Sequence, residues 1–239
     1  DFIYQNLEIQ NNLIHSAYLT KVKKLMFLGS SCVYPKKPKI PIKEDYLLTS
    51  GLENTNEMYA IAKIAGLKMC KAYNAQFKTD FRAIMPTNLY GQNDNYDSLN
   101  SHVLAALIKK IVLAKKQNKK SFIVWGTGKP KREFLHVDDL ADATVKIMNL
   151  SKKKYNKVAG EKFPFINVGS GSDISVKDLA KLISKIVEFK GKMIFDKSKP
   201  DGTFRKLMDN SKLRKIKWKP KISLNSGIKK TIEDFKATI

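Results

Sequence analysis

Between Phe2 and Leu19 apolar side chains recur at Ile3, Leu7, Ile9, Leu13, Ile14 and Ala17, a spacing that lines the side of a helix. A compact apolar run, Leu25-Met26-Phe27-Leu28, follows and breaks off at Gly29-Ser30-Ser31, which predicts a buried strand. The pair then repeats. Tyr59 to Phe77 fits a helix with alanines and leucines along one side, and Phe81 to Leu89 fits a strand ending at Tyr90-Gly91. Helices alternating with continuous apolar strands predict a parallel α/β sheet, because a strand covered on both faces needs apolar residues on both. Beyond Gly91 the pattern turns to mixed α+β. A polar loop leads to a helix from about Ser101 to Lys116, a strand from Phe122 to Trp125 and a turn at Gly126-Thr127-Gly128. Asp138 is placed to cap a helix over Leu140 to Leu150, Phe165 to Val168 reads as a strand, and Ser175-Val-Lys-Asp178 reads as a capping box opening another helix. A last strand, Lys192 to Phe195, precedes a lysine-rich C-terminal third.

These elements predict a Rossmann-like parallel sheet with a smaller mixed α+β domain. Residues 1–95 would form the first, with about 135–150 and 165–180 returning to it, and 96–239 mainly the second. A sheet of this type ordinarily opens with a strand, a glycine-rich turn and a helix whose N-terminus holds a pyrophosphate. The sequence offers no such element. Gly169-Ser-Gly171-Ser-Asp-Ile174 lacks the last glycine of G-x-G-x-x-G, and Gly126-Thr-Gly128 is followed by basic residues, so both read as ordinary turns. The expectation is a chain that starts partway through the sheet and, alone, binds a dinucleotide poorly.

Composition narrows the class. Hydrophobic residues make up 43% of 239 positions and no tract is rich in glycine, proline or serine, so a folded chain is expected. The longest apolar stretch, Val103 to Ala114, is interrupted by Lys109 and Lys110 and is too short to cross a bilayer, and the first residues lack the pattern of a secretory signal. Only Cys32 and Cys70 are present, which points away from a disulfide framework and towards the cytoplasm. The net charge of +23 would suit a nucleic acid, but the lysines are dispersed and only Arg82, Arg132, Arg205 and Arg214 could form a guanidinium fork. Neither nucleic acid nor membrane is the expected partner. His15, His102 and His136 are scattered with no carboxylate at ligand spacing, so no metal site is expected.

Three residues carry the first chemical signal. Tyr59 and Lys63, four apart on one helix, share a face on which a phenol and an ammonium converge; alone, the pair also suits an ordinary solvated helix. A nearby cation would draw a phenol down from its usual value of ~10 towards the range of a working proton donor. Ser30 lies at the end of a strand, where open α/β sheets place their chemistry. If the chain stays extended there, Ser30 and Cys32 point to the same side.

Ser30 and Tyr34 after a strand, with Tyr59-x-x-x-Lys63 on the next helix, resemble the extended short-chain dehydrogenase/reductases. The segments Leu28–Pro35, Thr55–Gly66, Met85–Gly91, Asn100–His102, Arg132–Asp139 and Lys199–Gly202 are together similar to the branch that epimerises and reduces GDP-sugars. Met58, where that branch usually has proline, and a shortened Gly202–Arg205 turn depart from it. The resemblance implies NADP(H) as cofactor, a homodimer paired through the helices Leu7–Ala17 and Tyr59–Phe77, and conversion of GDP-4-keto-6-deoxy-D-mannose to GDP-L-fucose. It implies Ser30, Tyr59 and Lys63 as the group acting at the C4 oxygen, with Cys32 and His102 as the epimerisation pair. Leu28, Gly29, Ser30, Ser31, Lys63, Pro86, Thr87, Asn88, Leu89 and His102 would line the cofactor, and Lys110, Trp125, Arg132 and Asp201 the GDP-sugar. His102 and Lys110, eight residues apart, would lie on nearly one helix face about 12 Å apart. Two alternatives stay open: a sister nucleotide-sugar dehydratase or epimerase, which shares Ser30, Tyr59 and Lys63 but needs neither Cys32 nor His102, and a non-catalytic basic binding module.

Overall fold

The computed structural model describes residues 2–97 and 101–239, which divide into two compact units. The first comprises Asp1–Thr87, Leu140–Gly171 and Leu207–Lys219; the second comprises Asn88–Asp139, Ser172–Lys206 and Pro220–Ile239.

In the first unit, helix α1 (Phe2–Leu19) precedes strand β1 (Leu25–Leu28), and helix α2 (Glu57–Phe77) precedes β2 (Phe81–Pro86), as the periodicity predicts. Strand β6 (Phe165–Val168) completes a parallel three-stranded sheet in the order β1-β2-β6. Both faces of β2 are buried, which is why its sequence shows no alternation. Its core gathers Ile14 and Ala17 of α1, Ile64, Leu67 and Cys70 of α2, and Phe27, Phe81, Met85 and Phe165 of the strands. Arg82 is wholly buried in β2, where Asp80 holds it in a two-pronged pair and the carbonyls of Ile147, Met148 and Leu150 accept its remaining N–H groups. That guanidinium is therefore closed to any ligand.

The second unit contains β3 (Asn88–Tyr90), α3 (Val103–Lys116), β4 (Ser121–Trp125), β5 (Lys131–His136), β7 (Asp173–Ser175), α6 (Val176–Val187), β8 (Lys192–Asp196), β9 (Arg205–Lys206) and α8 (Leu224–Ala237). Strand β5 lies between β3 and β7 and also pairs with β9, while β4 pairs in parallel with β8. Helices α3, α6 and α8 meet over Leu104, Ile108, Ile111, Leu179, Ile183, Ile228 and Phe235. Helix α4 (Val137–Met148) begins in this unit and continues into the first, where α5 (Lys152–Ala159) and α7 (Ser211–Lys215) also lie.

Several expectations need correction. The single strand Phe81–Leu89 is two: Pro86 has no N–H to continue the ladder, and β3 starts at Asn88 in the other unit. The unit boundary thus falls after Thr87, not at residue 95; residues 151–164 and 207–219 also belong to the first unit, while 135–139 and 172–180 stay in the second. Asp138 lies in the first turn of α4 and does not cap it; its N–H donates to His136 Nδ1. Strand β5 escapes the periodicity because two of its buried positions, Glu133 and His136, are polar.

Candidate functional site

In the first unit, β1 stops at Leu28 and the Gly29 N–H donates to Ile84 O at 2.9 Å. A Cβ at this position would lie 2.4 Å from Met85 Sδ, so any larger residue would have to displace that thioether. The chain does not stay extended beyond it. Ser30 caps a 3-10 turn at Ser31–Val33, its Oγ accepting from the Cys32 N–H at 3.2 Å. The hydroxyl and the thiol are therefore joined through a turn, not by strand alternation.

Helix α2 delivers Tyr59 and Lys63 one turn apart, as expected. The Ser30 hydroxyl lies near enough to the Tyr59 phenol to favour its ionised form, and Lys63 Nζ lies 5.7 Å from the Tyr59 ring centre. The same ammonium donates to Leu28 O at 3.1 Å and rests 5.2 Å from the Phe27 ring centre. The electrostatics differ from the expectation. Burial raises the Tyr59 pKa above its ordinary value, against the Ser30 hydrogen bond, and the Cys32 sulfur adds to the rise. Lys63 sits over the ring with its charge engaged by a carbonyl, so desolvation prevails; burial also lowers Lys63.

Asn56 joins this group unforeseen. Its Nδ2 donates to Cys32 Sγ at 3.3 Å, so Asn56, Cys32 and Ser30 form a polar chain that ends near Tyr59. Its position three residues before Tyr59, at the mouth of the same helix, is the signal the sequence carries.

Leu28, Gly29, Ser30 and Ser31 leave the C-terminal end of β1, and Pro86 and Thr87 that of β2, with the Thr87 N–H donating to Val168 O at 3.0 Å. They occupy the edge at which open parallel sheets hold a ligand. A glycine turn, a hydroxyl and a half-buried ammonium gathered there fit the ribose and nicotinamide end of a dinucleotide. Asn88 and Leu89 fall in the second unit, where Asn88 Nδ2 donates to Glu133 O at 2.8 Å.

The second unit holds the other candidates. His102 is the N-cap residue of α3, exposed and making no side-chain capping bond; Asn100, which precedes it in the same motif, lies outside the described residues. Two turns along α3, Lys110 Nζ stands 4.4 Å from the Trp125 ring centre. Lys199, not anticipated, approaches the same ring to 5.7 Å. Trp125 is opposite Asp196 in the β4–β8 register, and Asp196 counteracts the lowering of the Lys110 pKa that burial causes.

Asp201 accepts from the Thr127 N–H and hydroxyl, both at 2.7 Å, and fills the space beside Gly126 where a Cβ would lie 2.2 Å from its Oδ1. The Arg132 guanidinium donates to the carbonyls of Asp201 at 3.3 Å and Lys131 at 2.9 Å. Burial lowers the Arg132 pKa while Asp201 opposes it. Arg205 is committed to Asp173. Lys110, Trp125, Arg132 and Asp201 are thus arranged along one run of contacts, a cationic and aromatic surface suited to a phosphorylated ligand. Among the described residues no three His, Cys, Asp or Glu are grouped to hold a metal ion, and no helix is long and apolar enough to cross a membrane.

Comparison with known proteins bears on this geometry. Residues 1–163 match the NAD dependent epimerase/dehydratase family. The chain is 56% identical to a protein of Arabidopsis thaliana named putative GDP-L-fucose synthase 2, over 98% of this chain and 68% of that one. It is 49% identical to the GDP-L-fucose synthase of Escherichia coli strain K12, over 98% of this chain and 73% of the relative. Among solved structures it is similar to MlghC, a GDP-mannoheptose C4 reductase from Campylobacter jejuni with NADP bound, at a TM-score of 0.89 and 43% identity, covering 99% of this chain and 75% of that one.

Proposed function

The chain belongs to the NAD dependent epimerase/dehydratase family, and on that premise we propose that it is an NADPH-dependent epimerase/reductase converting GDP-4-keto-6-deoxy-D-mannose to GDP-L-fucose. The observation that carries the chemistry is the grouping of Ser30 and Cys32 near the Tyr59 phenol, with the Lys63 ammonium 5.7 Å from its ring centre. The choice of substrate rests on the names of the relatives.

Carbons 3 and 5 of the sugar both neighbour the C4 ketone, so their protons are acidic and a modest acid and base can remove and return them. Cys32 and His102 are the pair assigned to that exchange. As a proton leaves, its electron pair moves onto the C4 oxygen, where Ser30 and Tyr59 donate hydrogen bonds to the developing enolate. Bound NADPH supplies the hydride that reduces C4. Tyr59 gives the accompanying proton to the C4 oxygen. Its raised pKa suits this role, because the phenol holds its proton through neutral pH until an oxyanion calls for it. Lys63 then faces the phenolate left behind and stabilises it. Lys110, Arg132 and Lys199 supply positive charge for the diphosphate, with Asp201 holding Arg132 and the Gly126 turn in place.

On this reading the protein acts in the cytoplasm, with neither cysteine in a disulfide, and does so as a homodimer. Ile9 and Leu13 of α1 and Met58 and Ile61 of α2 are exposed apolar residues, and a second copy of these helices would cover them. The test of activity is turnover of the keto sugar with NADPH in D2O. Deuterium at C3 and C5 of a C4-reduced product is the expected outcome. NADPH consumption without deuterium at either carbon would identify a plain 4-reductase and sink the proposal.

A further inference from the structure

Asparagine is among the residues preferred at a helix N-cap because its side-chain oxygen satisfies a free N–H of the first turn. Asn56 occupies the N-cap of α2 and makes no such bond. Its Nδ2 instead donates to Cys32 Sγ at 3.3 Å, and its Oδ1 is buried without a hydrogen-bond partner. Leaving a buried acceptor unpaired is costly, and such groups in native proteins tend to mark function. The Cys32 backbone is fixed independently, by the bond from its N–H to Ser30 Oγ. The sulfur is thus held from two sides, by the turn that carries it and by an amide on the neighbouring helix.

From this geometry we propose that Asn56 is a positioning residue for epimerisation, its amide N–H fixing the Cys32 sulfur and stabilising the charge that sulfur carries during proton transfer. The proposal rests on the assignment of Cys32 to the epimerisation pair. It holds for either direction of proton transfer. As base, the Cys32 thiolate takes a proton from C3 or C5 while the C–H pair becomes the enolate double bond and the carbonyl pair moves onto the C4 oxygen. As acid, the thiol returns a proton to carbon as the enolate collapses and is left as thiolate. In both half-steps the sulfur bears negative charge at one end of the transfer, and an N–H donor favours that charged form. No oxidant or reductant enters the exchange, so it can be observed without NADPH.

The experiment compares the full chain with its Asn56→Leu and Cys32→Ala variants, using GDP-4-keto-6-deoxy-D-mannose in D2O and scoring deuterium at C3 and C5. Leucine keeps the bulk and removes the donor, and since Asn56 makes no capping bond the melting temperature should be unchanged. The expected result for Asn56→Leu is about a tenfold fall in kcat for exchange, the loss of one charge-assisted hydrogen bond, with little change in KM. Iodoacetamide alkylation of Cys32 at fixed pH, read on the Cys32 peptide, should slow by a similar factor. Exchange at the rate of the unsubstituted protein overturns the proposal, and so does a fall matched by a higher KM or a lower melting temperature. If the unsubstituted chain shows no exchange, or Cys32→Ala exchanges equally well, the assignment of Cys32 fails instead.

Discussion

The packing of α1 against α2 is tight enough that one added methyl group should be felt at the Lys63 ammonium. Gly66 lies in the middle of α2, and a Cβ built there would stand 2.3 Å from Phe27 Cζ, 2.6 Å from its Cε2 and 2.8 Å from Gln10 Oε1. None of the three can withdraw freely. Phe27 is buried in β1, and Gln10 is buried with its amide donating to Ala62 O at 2.7 Å. Gly66→Ala gains about 1 kcal/mol of helix propensity. Overpacking a closed core costs about 1–3 kcal/mol, and overlaps down to 2.3 Å against two buried side chains belong in the upper half of that range, so the balance is a net destabilisation of about 1–2 kcal/mol. For a chain of this size each such kcal/mol lowers Tm by about 2–4 °C. Urea unfolding followed by the fluorescence of Trp218, which is buried in the same unit and donates to Asp142 at 2.7 Å, measures the effect where it arises. Because the displaced Phe27 ring carries Lys63, the variant should also lose turnover beyond its loss of folded protein. A Gly66→Ala protein as stable as the parent would show that the α1–α2 contact has room for the methyl group.

Trp125 is half exposed while Trp218 is buried, so GDP should change the emission of Trp125, and Lys110→Gln should weaken GDP binding about tenfold; equal affinity would remove Lys110 from the phosphate site. Burial raises the Glu44 pKa above 4.5, so between that value and the raised one the folded protein holds a proton that the unfolded chain has lost, and stability falls as pH rises. Glu44→Gln keeps an acceptor for the Asn167 N–H and should flatten that fall in denaturant titrations from pH 4.5 to neutrality; unchanged pH dependence would refute the assignment. Replacing Ile9 and Leu13 by lysine should convert a dimer to a monomer in sedimentation, and a parent protein that already sediments as a monomer would sink the proposed pairing.

The parts of the fold legible in the sequence are those whose burial is apolar and regular. Strand β2 reads as an uninterrupted hydrophobic run because both its faces are buried, and β1 reads the same way although only Phe27 of it is fully buried; α1 reads from an apolar spacing of which Ile14 and Ala17 are buried, and α6 from the Ser175 capping box. Where burial is polar the pattern fails. Strand β5 buries Glu133 and His136, and α5 opens with three exposed lysines ahead of the buried Tyr155, so each reads as connecting chain. The unit boundary escapes for a related reason. Residues Phe81 to Leu89 are largely apolar, and nothing but the missing N–H of Pro86 tells that the ladder changes partner there.

At the site, spacing gives direction but not energy. Four residues on a helix bring Tyr59 and Lys63 to one face, and from that alone a lowered phenol pKa is the natural expectation. Whether the cation or the loss of solvent prevails depends on how deeply the phenol sits and where the ammonium points, and those are set by residues distant in sequence: Phe27 beneath Lys63, and Leu28 O accepting from it. The raised phenol changes the chemistry that can be asked of Tyr59. Held in its protonated form, Tyr59 is suited on the proposed reading to give a proton rather than take one, which leaves the removal of protons from carbon to other groups. The half-buried Cys32 thiol is the candidate for that work in the same unit, and the side chain placed to hold its sulfur is Asn56, a residue whose type and position in the sequence would otherwise read as nothing more than a helix cap.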